Sequence, residues 1–151
     1  MPGDYLPVPH CKQTDDAMCL PACAVMVLAY LGRHLEQEKL ASILGTTELG
    51  TMSSNISRLT TLGLTVEYEE GSIIKLHRHL SQGIPCIVFL WTGNLSYWQV
   101  DTPHAVVVVG MTEDTVLVND PAFDDAPIRV PVDEFFLAWC EFEFKYAVLM
   151  R

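Results

Sequence analysis

The chain has 151 residues, half of them apolar, with 9 basic against 19 acidic side chains and a formal charge of −10. That supports one core in one domain and excludes a disordered chain, and the acidic field disfavours nucleic acid while permitting a basic partner or a peptide. The five scattered cysteines (Cys11, Cys19, Cys23, Cys86 and Cys140) include no CxxC pair, so neither a disulfide framework nor a zinc module is expected, and a reducing, cytoplasmic setting is the simplest reading.

Residues 1–12 are rich in proline and turn formers and read as an extended arm; they lack the basic start and apolar run of a signal peptide. From Cys19 to Leu31 the apolar residues are dense on every side, which predicts a helix buried almost all round, closed by Gly32. A second helix is expected over 35–44 and a weaker third over 52–62, each followed by glycine. Next come a strand at "LTVEYEE" (64–70) and a fourth helix over 72–83. The second half changes character. "IPCIVFLW" (84–91), "HAVVVVGM" (104–111) and "TVLVND" (115–120) are β-branched runs, and the tight "EDT" connection predicts a hairpin for the last two. A short helix at 132–140 and a closing strand at 145–150 complete the chain. The longest apolar runs are too short to span a bilayer. Helices first and an antiparallel sheet second is an α+β pattern; the alternation is too irregular for a βαβ sheet.

The cysteine pair Cys19 and Cys23 opens the buried helix. Cys19 sits in its first turn, where free backbone N–H groups and the positive dipole end favour a thiolate. Cys23, one turn further among Ala22, Val25 and Met26, reads as a small core hydrophobe. A thiolate needs a base, and His104 opens an apolar strand directly after a polar loop and Pro103. Asp120 ends the strand expected to pair with it, so a carboxylate can reach the imidazole across the ladder and fix its tautomer. Strand alternation turns Asn119 to the opposite face. Gln13, six residues before Cys19, can bring an amide beside the helix start; with the Cys19 N–H it would make a two-donor oxyanion hole. Alone, each feature has a plainer reading: a core cysteine, a strand-start histidine, an "NDP" turn, a surface glutamine. Their order along the chain is that of a papain-type site, with the nucleophile in a helical part and the base in a sheet.

The segments "VPHCKQTDDAMCLPACAVMVLAYLG", "GIPCIVFL", "TPHAVVVVGM", "VLVNDPAF" and "VDEFFLAW" resemble, in family order, the double-glycine, bacteriocin-processing cysteine peptidases and their stand-alone relatives, a papain-like branch. The resemblance covers nearly the whole chain. It implies a papain-like fold with helices packed on an antiparallel sheet, Gln13 as oxyanion glutamine, Cys19 as nucleophile, His104 as base and Asp120 as third member, and no cofactor or metal. Leu20 departs from the pattern, which has glycine after the nucleophile; this bears on substrate choice more than on chemistry. The expected activity is hydrolysis of a peptide or protein substrate through a thioester. The rivals are acyl transfer on the same residues, a non-catalytic peptide- or partner-binding domain, and a metal protein using His10, Cys11, His77 and His79. Cleft walls are expected from 46–55 and 92–103. In the second of these, the aromatics of "WTGNLSYWQVDTP" would either grip an extended peptide or pack within their loop.

Overall fold

The segment "CLPACAVMVLAY" leaves a helix no polar face to give to water. In the computed structural model, which describes residues 5–151, it forms α1 (Cys19–Tyr30) and is enclosed between other elements. Its end is closed as expected: Gly32 adopts φ +87°, and the Gly32 and Arg33 N–H groups return to the carbonyls of Ala29 and Leu28. Against α1 packs α2 (Gln37–Leu44), and a 3-10 stretch over Ser53–Leu62 packs in turn on α2, with Leu40, Leu44, Ile56 and Leu59 joining the same core. The 52–62 segment was expected as an α-helix. Its Ser, Thr and Asn side chains compete for the backbone, as in the Thr61 hydroxyl on the Arg58 carbonyl, and it winds more tightly instead.

The strands are β1 (Thr65–Glu70), β2 (Cys86–Trp91), β3 (Pro103–Met111), β4 (Thr115–Asn119), β5 (Ile128–Pro131) and β6 (Lys145–Met150). They form one sheet in the order β1-β6-β2-β3-β4-β5, antiparallel at every pairing. The β3–β4 hairpin is present as expected. β5 was not foreseen. It is short, preceded by Pro127 and ended by Pro131, which the outer strand of a sheet tolerates because one of its edges needs no partner.

Side-chain alternation gives the sheet two apolar faces. Ile87, Phe89, Val107 and Leu117 face α1. Val88, Val106, Val118 and Val148 face the other way, onto α3 (Ile73–Ser81) and α4 (Val132–Cys140), through Leu76, Phe135 and Trp139. The N-terminal arm follows the sheet, with Leu6 N–H on the Val109 carbonyl beside a register shift in β3. Asn119 points to the α1 face, as alternation required, and its amide donates to the Val8 carbonyl at 3.1 Å.

Candidate active site

Cys19 is the first residue of α1. The chain is turned into the helix by an Asx-type turn in which the Asp15 carboxylate accepts the Ala17 N–H at 2.9 Å, and the Asp15 carbonyl accepts the Met18 N–H. No side chain caps α1, and Pro21 fills a first-turn position where a backbone donor would be unpaired anyway. The helix start is thus left as a pair of backbone N–H groups, on Cys19 and Leu20. Cys19 is half-buried, whereas Cys23 has no exposed surface. Burial first, then the nearby Cys19, Asp120 and Cys11, pushes the Cys23 thiol well above its ordinary range. The pair divides as the sequence suggested, into an accessible thiol and a core thiol.

His104 and Asp120 meet. Val107 pairs with Asn119 across β3–β4, so continuing that register sets Asp120 diagonally from His104 on the same face. His104 Nε2 lies 2.7 Å from Asp120 Oδ1, and both side chains are almost wholly buried. This leaves Nδ1 as the ring nitrogen for Cys19. Burial is the largest influence on His104 and lowers its pKa, but the hydrogen bond to the Asp120 carboxylate, its charge and the nearby Cys19 outweigh it and raise it to about 9. Asp120 shows the mirror case: burial favours its neutral form, yet His104, the Ala122 N–H and Trp98 together hold it below the ordinary carboxylate range.

Asp120 has no exposed surface and needs its lone pairs filled. Oδ1 also accepts the Ala122 N–H at 3.0 Å; Oδ2 accepts the Tyr97 hydroxyl at 2.7 Å and Trp98 Nε1 at 3.0 Å. Four donors therefore saturate it. Trp98 also packs edge-on against His104, centroids 4.7 Å apart. These two aromatics of "WTGNLSYWQVDTP" serve the site from behind, by holding the carboxylate. Their position beside "TPH" was a visible signal, but which way they faced was not.

Gln13 lies in the loop between the arm and α1, where its N–H donates to the Pro121 carbonyl at 2.8 Å, one residue from Asp120. Its side-chain carbonyl is buried without a hydrogen-bond partner among the described residues. The metal reading does not assemble. His10 bonds to the Phe123 carbonyl and His79 to the Tyr146 hydroxyl. Among the described residues no three His, Cys, Asp or Glu side chains converge on a metal position.

Cys19 and His104 face one cleft of about 230 Å³. Its apolar walls are Leu20, Ala105, Phe89 and Phe142, the two rings 5.9 Å apart. Phe142 precedes a turn in which Glu143 and Phe144 both take left-handed backbone (φ 56° and 58°), a conformation that side chains resist. The expected segments contribute the rim: Leu49, Gly50 and Thr51 on one side, Thr102 and Pro103 on the other. Leu20, in place of glycine, is 2% exposed and forms cleft wall and core together.

Residues 5–147 match the Peptidase_C39 like family. An uncharacterized protein of Methanothermobacter marburgensis is 30% identical over 119 residues, 78% of this chain and 75% of its own. A candidate C39-like peptidase from Bacillus anthracis superposes with a TM-score of 0.81 at 17% identity, over 97% of this chain and 98% of that one. A double glycine motif protease from an AMS/PCAT transporter, solved in complex with the leader peptide, gives 0.76 at 22%, over 98% and 94%. The peptidase domain of Streptococcus ComA, a bi-functional ABC transporter involved in quorum sensing, gives 0.77 at 20%, over 93% and 96%. The chain belongs to the Peptidase_C39 like family and has its papain-like α+β fold. Among the described residues no helix is long and apolar enough to cross a membrane.

Proposed function

We propose that this member of the Peptidase_C39 like family is a single-domain, cytoplasmic cysteine peptidase that cleaves a peptide or protein through a thioester. The observation that carries the reading is a buried imidazole bound to a fully satisfied carboxylate and facing the same cleft as a helix-start thiol. A histidine with its pKa raised to about 9 keeps its second proton at neutral pH and can hand it to a leaving amine. The five free cysteines support the reducing setting.

The Cys19 sulfur attacks the carbonyl carbon, forming the C–S bond, and the carbonyl electron pair moves to oxygen. The oxyanion is held by the Cys19 N–H and the Gln13 amide. The pair returns, the C–N bond breaks, and the leaving nitrogen takes the proton from His104 Nδ1. Water then attacks the thioester while His104 takes its proton, and the C–S bond breaks to release the acid and restore the thiolate. Asp120 holds the ring throughout. The apolar walls of the cleft favour an apolar side chain on the acyl side, and Leu20 removes the space that glycine would leave beside the substrate backbone.

The test uses N-acetyl tetrapeptide coumarin amides carrying either leucine or glycine in the two residues before the amide, with the full chain and its Cys19→Ala variant. Coumarin release by the wild type, absent in Cys19→Ala and faster with leucine, is expected. Turnover that survives Cys19→Ala sinks the peptidase reading; a preference for glycine sinks the apolar pocket alone.

A further inference from the structure

The loop that carries Gln13 has a second anchor, on the helical side of the molecule. Gln37, the first residue of α2, is one of few buried polar side chains, 7% exposed, and it caps nothing. Its Nε2 donates to the Lys12 carbonyl at 2.7 Å and to Cys11 Sγ at 3.2 Å; its Oε1 accepts the Thr14 N–H at 3.2 Å and the Thr14 hydroxyl at 3.5 Å. Both ends of one buried amide are therefore spent on the residues flanking Gln13.

The consequence for Gln13 is geometric. The peptide plane before it is held at both ends, its carbonyl by Gln37 and its N–H by the Pro121 carbonyl. The plane after it is held at its N–H by Gln37. Two fixed planes around one Cα fix φ and ψ, and with them the direction of the Cα–Cβ bond. An exposed Lys12–Asp124 ion pair at 3.2 Å adds little to this. One tie comes from α2, in the layer that carries Cys19, and the other from the loop that follows Asp120. The position of Gln13 is thereby set by both halves of the site at once.

We infer that Gln37 is a positioning residue for catalysis, holding the Gln13 amide where the oxyanion develops; this rests on the peptidase reading above. An oxyanion donor contributes only when its direction is right before charge appears. Loss of one such donor lowers kcat by ~10²–10³-fold, and misplacement by an ångström lowers rate by a similar factor.

Gln37→Met keeps the volume and removes all four contacts. With the leucine coumarin amide, kcat is expected to fall ~10–100-fold with KM within about twofold. Alkylation of Cys19 by iodoacetamide, which forms no oxyanion, should stay within about twofold of wild type. The double variant Gln13→Ala/Gln37→Met should be no slower than Gln13→Ala alone, because the second change acts through the first. Gln37→Glu, which keeps the acceptor for Thr14 but turns a carboxylate oxygen onto the Lys12 carbonyl, should also lower kcat with KM within about twofold; it carries the test if Gln37→Met does not fold. Amide exchange at Gln13 and Thr14 should accelerate in Gln37→Met, and at Gln13 in Gln37→Glu, while that of α1 is unchanged.

A kcat near wild type in Gln37→Met, losses that multiply in the double variant, or alkylation that slows in step with turnover each overturns the inference while leaving the peptidase reading intact. Wild-type protein without Cys19-dependent turnover overturns that reading and the catalytic meaning of the clamp together. Unchanged exchange at Gln13 and Thr14 overturns the clamp by itself.

Discussion

The two halves of the site are built differently. His104 and Asp120 lie on neighbouring strands of one sheet, and the carboxylate is closed off by four donors in the interior. Cys19 sits at an uncapped helix start, half-buried, and Gln13, six residues earlier, hangs on a loop without secondary structure. The sheet half gets its precision from a saturated buried network, whose members have no alternative partners. The helix half must stay open to substrate, so its precision has to come from contacts made behind the site. An imidazole–carboxylate pair can be buried; on the mechanism proposed above, a nucleophile and its oxyanion donors cannot.

That contrast can be broken most sharply at Cys19. Cys19→Ala is expected to lower turnover ~10⁴-fold or more and to remove the iodoacetamide adduct found by mass spectrometry, with little change in melting. On the sheet side, Asp120→Asn should lower kcat/KM by ~10²–10⁴-fold. It should also move the alkaline limb of the pH–rate profile, which His104 sets near 9, to lower pH.

The same pair makes stability depend on pH. The folded pKa of His104 is raised from 6.5 to about 9, so its contribution is complete below 6.5 and is lost as pH rises through 9. Asp120 is shifted the opposite way, and its contribution is lost as pH falls below the ordinary carboxylate range. Urea unfolding at pH 6.5 and 9 should therefore differ by roughly 3 kcal/mol in the wild type, and by much less in Asp120→Asn; equal losses in both would place the titrating group elsewhere.

Tyr97→Phe and Trp98→Phe each remove one donor from Asp120 Oδ2, and chemical denaturation should show a loss of about 1–3 kcal/mol for each. The smallest effect is expected in the helix half, at Cys23. Cys23→Ala should cost about 1 kcal/mol of packing and leave turnover within about twofold. A folded but inactive Cys23→Ala would reverse the division of the cysteine pair.

Much of the fold was legible because its signals are local. α1 announced itself by having no polar face, and β3 and β4 by β-branched runs around a tight turn. The diagonal of His104 and Asp120 followed from the period of a strand. β5 was not legible, because two prolines mask a strand whose outer edge does not need their missing donors. The 52–62 stretch is a helix by its spacing, and spacing alone does not separate the α form from the 3-10 form that Ser53–Leu62 takes.

The order of Gln13, Cys19, His104 and Asp120, the half-buried place of one cysteine and the fully buried place of the other were contained in the sequence, since each depends on neighbours a few residues away. What Tyr97, Trp98 and Gln37 do was decided only by the tertiary structure. A hydrogen bond goes to whichever donor the folded chain brings within reach; the donors that close Asp120 lie 22 and 23 residues away in sequence, and the amide that grips the Gln13 loop 25 and 23. No periodicity carries information over such separations, because the choice of partner is made by the packing of layers and not by the spacing of residues.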